Sequence, residues 1–300
     1  MKVGVTFPQT EIGTDAGAIK EFAQAVERMG YSHILAYDHV LGANTASRPD
    51  WKGPYKLEST FHEPFVLFSY LAGVTTTLGF VTGIMILPQR QTVLVAKQAA
   101  CLDVLSNGRF RLGIGTGWND IEYEALGMAF ADRGKRFEEQ VEVLRALWTQ
   151  PAVTFKTATH TITDAGINPL PVQRPVPVWF GGGSDRVLFG NQPARDSVIR
   201  RIARLGDGWI PQWQPDDRGR ELLAQFHGYC SEYGRDPAKI GIEGRFTVKR
   251  SGEKDWAGEV AAWRSLKVSH LAVNTMGDGM KGAEQHLRRL EELRPILLQA

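Results

Sequence analysis

Short runs of β-branched and aromatic residues alternate along the chain with stretches whose apolar positions recur at helical spacing. The runs predict strands at Val3–Phe7, His33–Tyr37, Gly79–Ile86 and Arg109–Ile114. Four more are predicted at Pro177–Gly181, Gly208–Pro211, Ile240–Lys249 and Ser269–Thr275. Between them, Ile19, Phe22, Ala23 and Val26 fall at i, i+3, i+4 and i+7, and Gly30 stands where a C′ glycine ends a helix. Phe137, Val141, Leu144 and Trp148 form a similar stripe before Pro151, and Val198, Ile199, Ile202 and Leu205 another before Gly206. Leu222, Leu223, Phe226, Tyr229, Cys230 and Tyr233 run up to Gly234, and Leu287, Leu290 and Leu293 make the last stripe.

Strands and helices that alternate without consecutive strands predict a parallel α/β architecture. Eight such units in 300 residues suit a (β/α)8 TIM barrel, with a doubly wound open sheet as the alternative. Two stretches exceed ordinary connections and read as insertions: Leu41–His62 after strand two and Ala152–Val176 before strand five. No repeat or linker divides residues 1–300, so a single domain is expected.

Composition narrows the partners. A net charge of +2 gives no reason to expect nucleic acid or an anionic membrane surface. The first residues enter a strand without the pattern of a signal peptide, and no apolar run is long enough to span a bilayer, so a cytoplasmic protein is expected. Cys101 and Cys230 match no zinc or redox spacing and are expected to be buried, inert thiols on helices. The seven histidines show no metal-ligand spacing, and no metal is expected.

In a β/α barrel, chemistry sits where the strands end and the following loops begin. Strand one leads there to Thr6, Phe7, Pro8 and Gln9, strand two to Asp38 and His39, and strand four to Gly115-Thr116-Gly117-Trp118. Strand five leads to Gly181-Gly182-Gly183-Ser184. Glycine lets a phosphate approach backbone N–H groups, so Gly181 to Ser184 suit a phosphate of a bound cofactor, and a plain tight turn is the other reading. Gly113-Ile114-Gly115 starts like a dinucleotide fingerprint, but Trp118 occupies the final glycine position and the segment follows strand four. Asp38 and His39 form a polar pair whose imidazole is able to donate a hydrogen bond or move a proton. Lys249, the only lysine near a strand end, stands beside Arg250, which argues against a Schiff-base role, and no His-x-His follows strand one.

Several of these pieces together resemble the bacterial-luciferase-like superfamily. Ala36-Tyr37-Asp38-His39-Val40 is similar to that group's second-strand end. Leu87-Pro88-Gln89-Arg90, Ala96-Lys97-Gln98 and Leu102 to Arg109, running into Leu112 to Trp118, are similar to its most recognisable block. Pro177 to Gly182 and Arg204 to Trp209 resemble its fifth- and sixth-strand neighbourhoods. The coenzyme F420-dependent oxidoreductase branch is the most similar.

The resemblance implies a tricyclic ring across the C-terminal mouth of the barrel, with Asp38 and His39 near ring and substrate. It implies a non-prolyl cis peptide and a bulge at Gly83-Ile84 behind the ring. Gly115, Thr116 and Gly117 would border the cofactor, and Gly181, Gly182, Gly183 and Ser184 would hold its phosphate. The expected activity is hydride transfer between coenzyme F420 and a small organic substrate, with His39 as the catalytic residue. Arg90, Arg186, Lys249 and Arg250 are the cations available to an acidic cofactor tail. The alternatives are an FMN-dependent monooxygenase using O2 and a partner flavin reductase, and a non-catalytic flavin-binding protein. A homodimer is implied as well. The chain departs from the branch's sugar-phosphate dehydrogenases, whose catalytic Glu corresponds to Trp118 here; Glu122 and Tyr123 follow one turn later.

Overall fold

The computed structural model describes residues 1–183, 196–251 and 255–298. Its strands are β1 (Lys2–Thr6), β2 (His33–Ala36), β3 (Gly79–Thr82), β4 (Met85–Ile86), β5 (Phe110–Gly115), β6 (Val153–Lys156), β7 (Thr161–Ala165), β8 (Val178–Gly182), β9 (Gly208–Pro211), β10 (Gly241–Thr247) and β11 (His270–Asn274). The α-helices are α1 (Ala16–Arg28), α2 (Pro64–Ala72), α3 (Thr92–Leu105), α4 (Asp120–Ala125), α5 (Arg133–Thr149), α6 (Asp196–Leu205), α7 (Asp217–Glu232), α8 (Val248–Ser251), α9 (Trp256–Ser265) and α10 (Gly282–Leu297). Among the described residues no helix is long and apolar enough to cross a membrane.

The parallel strands run in the order β3-β2-β1-β11-β10-β9-β8-β5, and β3 pairs with β5 to close an eight-stranded barrel. This closure excludes the open sheet. The third barrel strand is split. Val81 pairs with Arg111 and Met85 with Ile114, so four steps on one strand face three on the other. This irregularity contains Gly83–Ile84, whose peptide bond is cis. The seventh barrel strand is shorter than predicted, because Val248 already begins α8.

The second insertion is not a bare loop: β6 and β7 pair antiparallel within it, with Phe155 opposite Ile162. These strands lie mostly exposed and carry too few apolar positions for a clear period-two pattern. The first insertion holds one isolated bridge, between Ala43 and Lys56. Cys230 is buried as expected, whereas Cys101 is only partly so, at a position on α3 beside the inward-facing Ala99, Ala100 and Leu102.

Alternation along each strand separates two cores. Val3, Val5, Ile34, Phe80, Leu112, Phe180, Leu271 and Val273 point outward and pack beneath the helices. Leu35, Val81, Trp179, Ile210 and Ala272 point inward and fill the barrel axis, with Tyr37 and Ile84 packed on them. A closed barrel of this size has little room, and bulky inward groups face glycines. A Cβ on Gly208 would lie 2.1 Å from Trp179, and one on Gly4 2.3 Å from His33.

The N-terminal end of the interior is polar. Glu243 accepts from His33 Nε2 at 2.6 Å and pairs with Arg111 at 3.1 Å, while the Arg111 guanidinium lies 4.3 Å from the centre of the Trp179 ring. Burial pushes the Glu243 carboxyl up, but the charge of Arg111 and its contact with His33 outweigh this and hold it down to about 2. Burial, reinforced by Arg111, lowers neighbouring His270 to about 3. Unfolding frees both groups to bind protons that the folded protein refuses. Stability is therefore expected to fall as pH drops from about 6.5 toward 3 through His270, joined below about 4.5 by Glu243. His270→Gln is expected to make the upper part of that decline shallower by up to about 1.4 kcal/mol per pH unit, read from urea unfolding at a series of pH values.

Candidate active site

The C-terminal mouth of the barrel gathers the ends of the strands under the first insertion. Asp38 and His39 leave β2 in sequence but serve different partners. The buried Asp38 carboxylate accepts from the Ile86 N–H at 3.0 Å and from the Arg90 guanidinium at 2.7 Å. Arg90 also reaches Glu63 at 3.0 Å, the residue that caps α2 through the Val66 N–H. Arg90 is thus an internal strut, with 15% of its side chain exposed, and not a solvated charge.

His39 turns toward α4. Its Nδ1 lies 3.1 Å from Glu122 Oε1, which also accepts the Val40 N–H at 2.9 Å, while Gln89 Nε2 approaches Oε2 at 3.4 Å. Burial pushes Glu122 up, but the bonds from His39, Val40 and Gln89 prevail and keep its pKa below the usual carboxylate range. A carboxylate only accepts, so Nδ1 carries the proton that faces Glu122, and Nε2 is the ring nitrogen left for other chemistry.

Aromatic side chains surround this imidazole. The rings of Tyr55 and Phe61, from the first insertion, lie 4.6 and 4.8 Å from His39, and Trp118 lies at 6.0 Å. Trp51 packs 5.6 Å from Trp118, and Gly53 fits against both indoles, where a Cβ would come within 2.4 and 2.6 Å. The insertion therefore covers His39 with aromatic rings.

On the barrel side, half-exposed Ile84 is seated between two strand ends: a Cβ on Gly115 would stand 2.2 Å from its side chain and one on Gly181 2.5 Å. Gly83 has the same closeness to Leu35, at 2.1 Å. The Thr116 carbonyl accepts from the buried Tyr123 hydroxyl at 2.7 Å, and Gly117, at φ 63°, lies against Ile86. Gly182 gives its carbonyl to Trp209 Nε1 at 2.9 Å, and Gly183 takes φ 75° beside the same indole. Ser184 and Arg186 lie outside the described residues. Thr6 points inward, and its buried Oγ1 has no hydrogen-bond partner among the described residues. An apolar face at Ile84 and a hydroxyl at the end of β1, both at the C-terminal ends of barrel strands, fit a flat heteroaromatic ring with polar atoms. Among the described residues no group of three or more His, Cys, Asp or Glu is arranged to hold a metal ion.

Glu122 is the residue that sequence reasoning left without a role. Its position in the first turn of the helix after strand four is visible in the sequence, but its reach to His39 depends on how α4 leaves Gly117.

A model of the luciferase-like monooxygenase family matches residues 1–295. The chain belongs to that family. Its resemblance to the luciferase-like superfamily thus holds, and members of the family are oxidoreductases. This family member is 32% identical over 297 residues to an uncharacterised protein of Mycobacterium tuberculosis, spanning 95% of this chain and 96% of that one. It is 31% identical over 294 residues to an FMNH2-dependent dimethylsulfone monooxygenase of Pseudomonas fluorescens, spanning 93% of this chain and 71% of the relative. In fold it resembles a monooxygenase from Streptomyces bottropensis, with TM-score 0.77, 18% identity and 99% of each chain covered. It likewise resembles an F420-dependent secondary alcohol dehydrogenase solved with an F420–acetone adduct, with TM-score 0.76, 16% identity and 99% of each covered.

Replacing Asp38 by Asn in this family member keeps an acceptor for Ile86 but removes the charge facing Arg90. The expected cost is roughly 3 kcal/mol, measured by urea unfolding against the unchanged protein.

Proposed function

We propose that this protein is an FMNH2-dependent monooxygenase that acts on a small, largely apolar substrate. The observation that carries the reading is His39, tied to a buried carboxylate and enclosed by Tyr55, Phe61 and Trp118 at the barrel mouth. An apolar enclosure with one proton-carrying group suits chemistry from which bulk water must be kept. The choice of FMN is supported by the dimethylsulfone monooxygenase that shares 31% identity over most of the chain. The internal bonds of Arg90 also remove one cation proposed for an acidic deazaflavin tail.

In this reading Ile84 would back the flavin ring, the Thr6 hydroxyl would be available to its polar atoms, and Gly115, Thr116 and Gly117 would border it. Gly181, Gly182 and Gly183 would hold its phosphate through backbone N–H groups. Asp38 contributes indirectly, by fixing Ile86 and Arg90 behind that wall. When bound, the reduced flavin supplies the electrons for oxygen chemistry, and a separate flavin reductase delivers it. His39 orients the substrate or moves a proton at Nε2, while Glu122 holds the ring in one tautomer. The second reading, hydride transfer with coenzyme F420, is supported by the likeness in fold to the F420-dependent alcohol dehydrogenase.

Anaerobic titration of the apo-protein with FMNH2 and with coenzyme F420 separates the two. Tighter binding of FMNH2 is expected; a preference for the deazaflavin would overturn the monooxygenase reading in favour of hydride transfer. With a flavin reductase supplying FMNH2 and alkyl sulfones of increasing size as probes, His39→Ala is expected to lower product formation about 100-fold. Glu122→Gln, which still accepts from Nδ1, is expected to lose less. Unchanged turnover in His39→Ala would remove the imidazole from the chemistry.

A further inference from the structure

The second insertion builds another cluster, separate from the residues around His39. His160 closes the turn between β6 and β7, and its ring stands between a hydroxyl and a carboxylate. Nε2 lies 2.6 Å from Thr92 Oγ1, at the first position of α3, and Nδ1 lies 2.6 Å from Glu139 Oε1, on α5. Burial pushes Glu139 up, but the hydroxyls of Thr157 and Thr159 and the His160 ring bring it down to about 2, so it is a carboxylate.

The partners fix the direction of each bond. Glu139 only accepts, so the proton of the neutral ring sits on Nδ1 and Nε2 accepts from the Thr92 hydroxyl. Gln140 Nε2 donates to Thr92 Oγ1 at 3.0 Å and to the carbonyls of Leu87 and Arg90 at 3.2 and 3.1 Å, which settles its amide orientation. A hydroxyl, an imidazole and a carboxylate in this order form an arrangement that activates an alcohol for nucleophilic attack.

This relay borders an open cleft of about 830 Å³, lined by Thr92, Gln140 and His160 together with Leu94, Lys97 and Arg136, and among the described residues no acid lines it. A volume of that order suits a small organic ligand. Two further features belong to residues that line the cleft. Gln140 Oε1 is buried without a partner among the described residues. The 14-residue helix α3, which begins at Thr92, has no side-chain cap among the described residues, which leaves first-turn N–H groups without a side-chain acceptor.

We propose that this cleft is a second, hydrolytic centre that cleaves short acyl esters, with Thr92 as nucleophile and His160 as general base. Thr92 Oγ1 bonds to the acyl carbon while its proton passes to His160 Nε2. The carbon–oxygen bond to the alcohol then breaks, and the alcohol leaves with that proton. Water attacks the acyl-threonine and gives a proton to Nε2, which returns it to Thr92 Oγ1 as the acid departs. Ester and water become acid and alcohol, and nothing is oxidised or reduced. Glu139 is a positioning residue that holds the ring for both transfers.

The test uses the full chain without flavin and 4-nitrophenyl acetate as substrate, alongside labelling by a fluorophosphonate. Hydrolysis above the buffer rate and a label on the peptide containing Thr92 are expected. Thr92→Ala and His160→Gln are expected to lower the rate about 100-fold, and Thr92→Ser to retain it, with circular dichroism confirming that each variant is folded. Glu139→Gln is expected to lower kcat and leave KM unchanged. Hydrolysis that persists in Thr92→Ala, a label at another residue, or no hydrolysis by the unchanged protein overturns the proposal. A fall in Tm for His160→Gln without any hydrolysis also overturns it, because the relay then only ties the hairpin to α3 and α5.

Discussion

One buried carboxylate governs the geometry of the barrel mouth. Asp38 receives both the N–H of Ile86, just beyond the split in the third barrel strand, and the guanidinium of Arg90. A strand that departs from regular pairing leaves backbone groups without ladder partners, and such groups need other acceptors when buried. Asp38 fills that need at Ile86, and Arg90 balances the charge. Through Glu63 the same guanidinium reaches the cap of α2. Loops following the second and third barrel strands are therefore joined before any ligand enters.

Packing on the opposite side of Ile84 makes that arrangement possible. The side chain of Ile84 occupies space left by Gly115 and Gly181, one strand on each side. The glycines that read from the sequence as a cradle for cofactor groups therefore also make room for a neighbouring side chain. The same relation recurs lower in the interior, where Trp179 lies over Gly208 and Gly241. A closed eight-stranded barrel admits its large inward groups because small ones face them.

How much of this was legible in the sequence depends on range. Period-two alternation and glycine or proline boundaries mark the barrel strands, and β9 has the bounds predicted for it, Gly208–Pro211. Those are local properties. The Asp38–Arg90 pair spans 52 residues and the His39–Glu122 pair 83, and nothing in either neighbourhood specifies the partner. The fourth-strand glycines pointed to a ligand, whereas Glu122, a few residues on, gave only the pattern of an acid in a first helical turn. The β6–β7 hairpin was hidden for a different reason: most of its side chains face solvent, so burial wrote little periodicity into it.

The first insertion reaches His39 through side chains more than through backbone. A bridge joins Ala43 to Lys56, yet Trp51, Tyr55 and Phe61 all bear on the imidazole or on its neighbour Trp118. Exchanges among those aromatic positions would alter the shape above the His39 imidazole while leaving the barrel's hydrogen-bond ladder and its inner packing intact. Substrate range in such a protein can drift through mutation of one surface segment, at little risk to folding, and this is the physical basis on which a single scaffold diversifies.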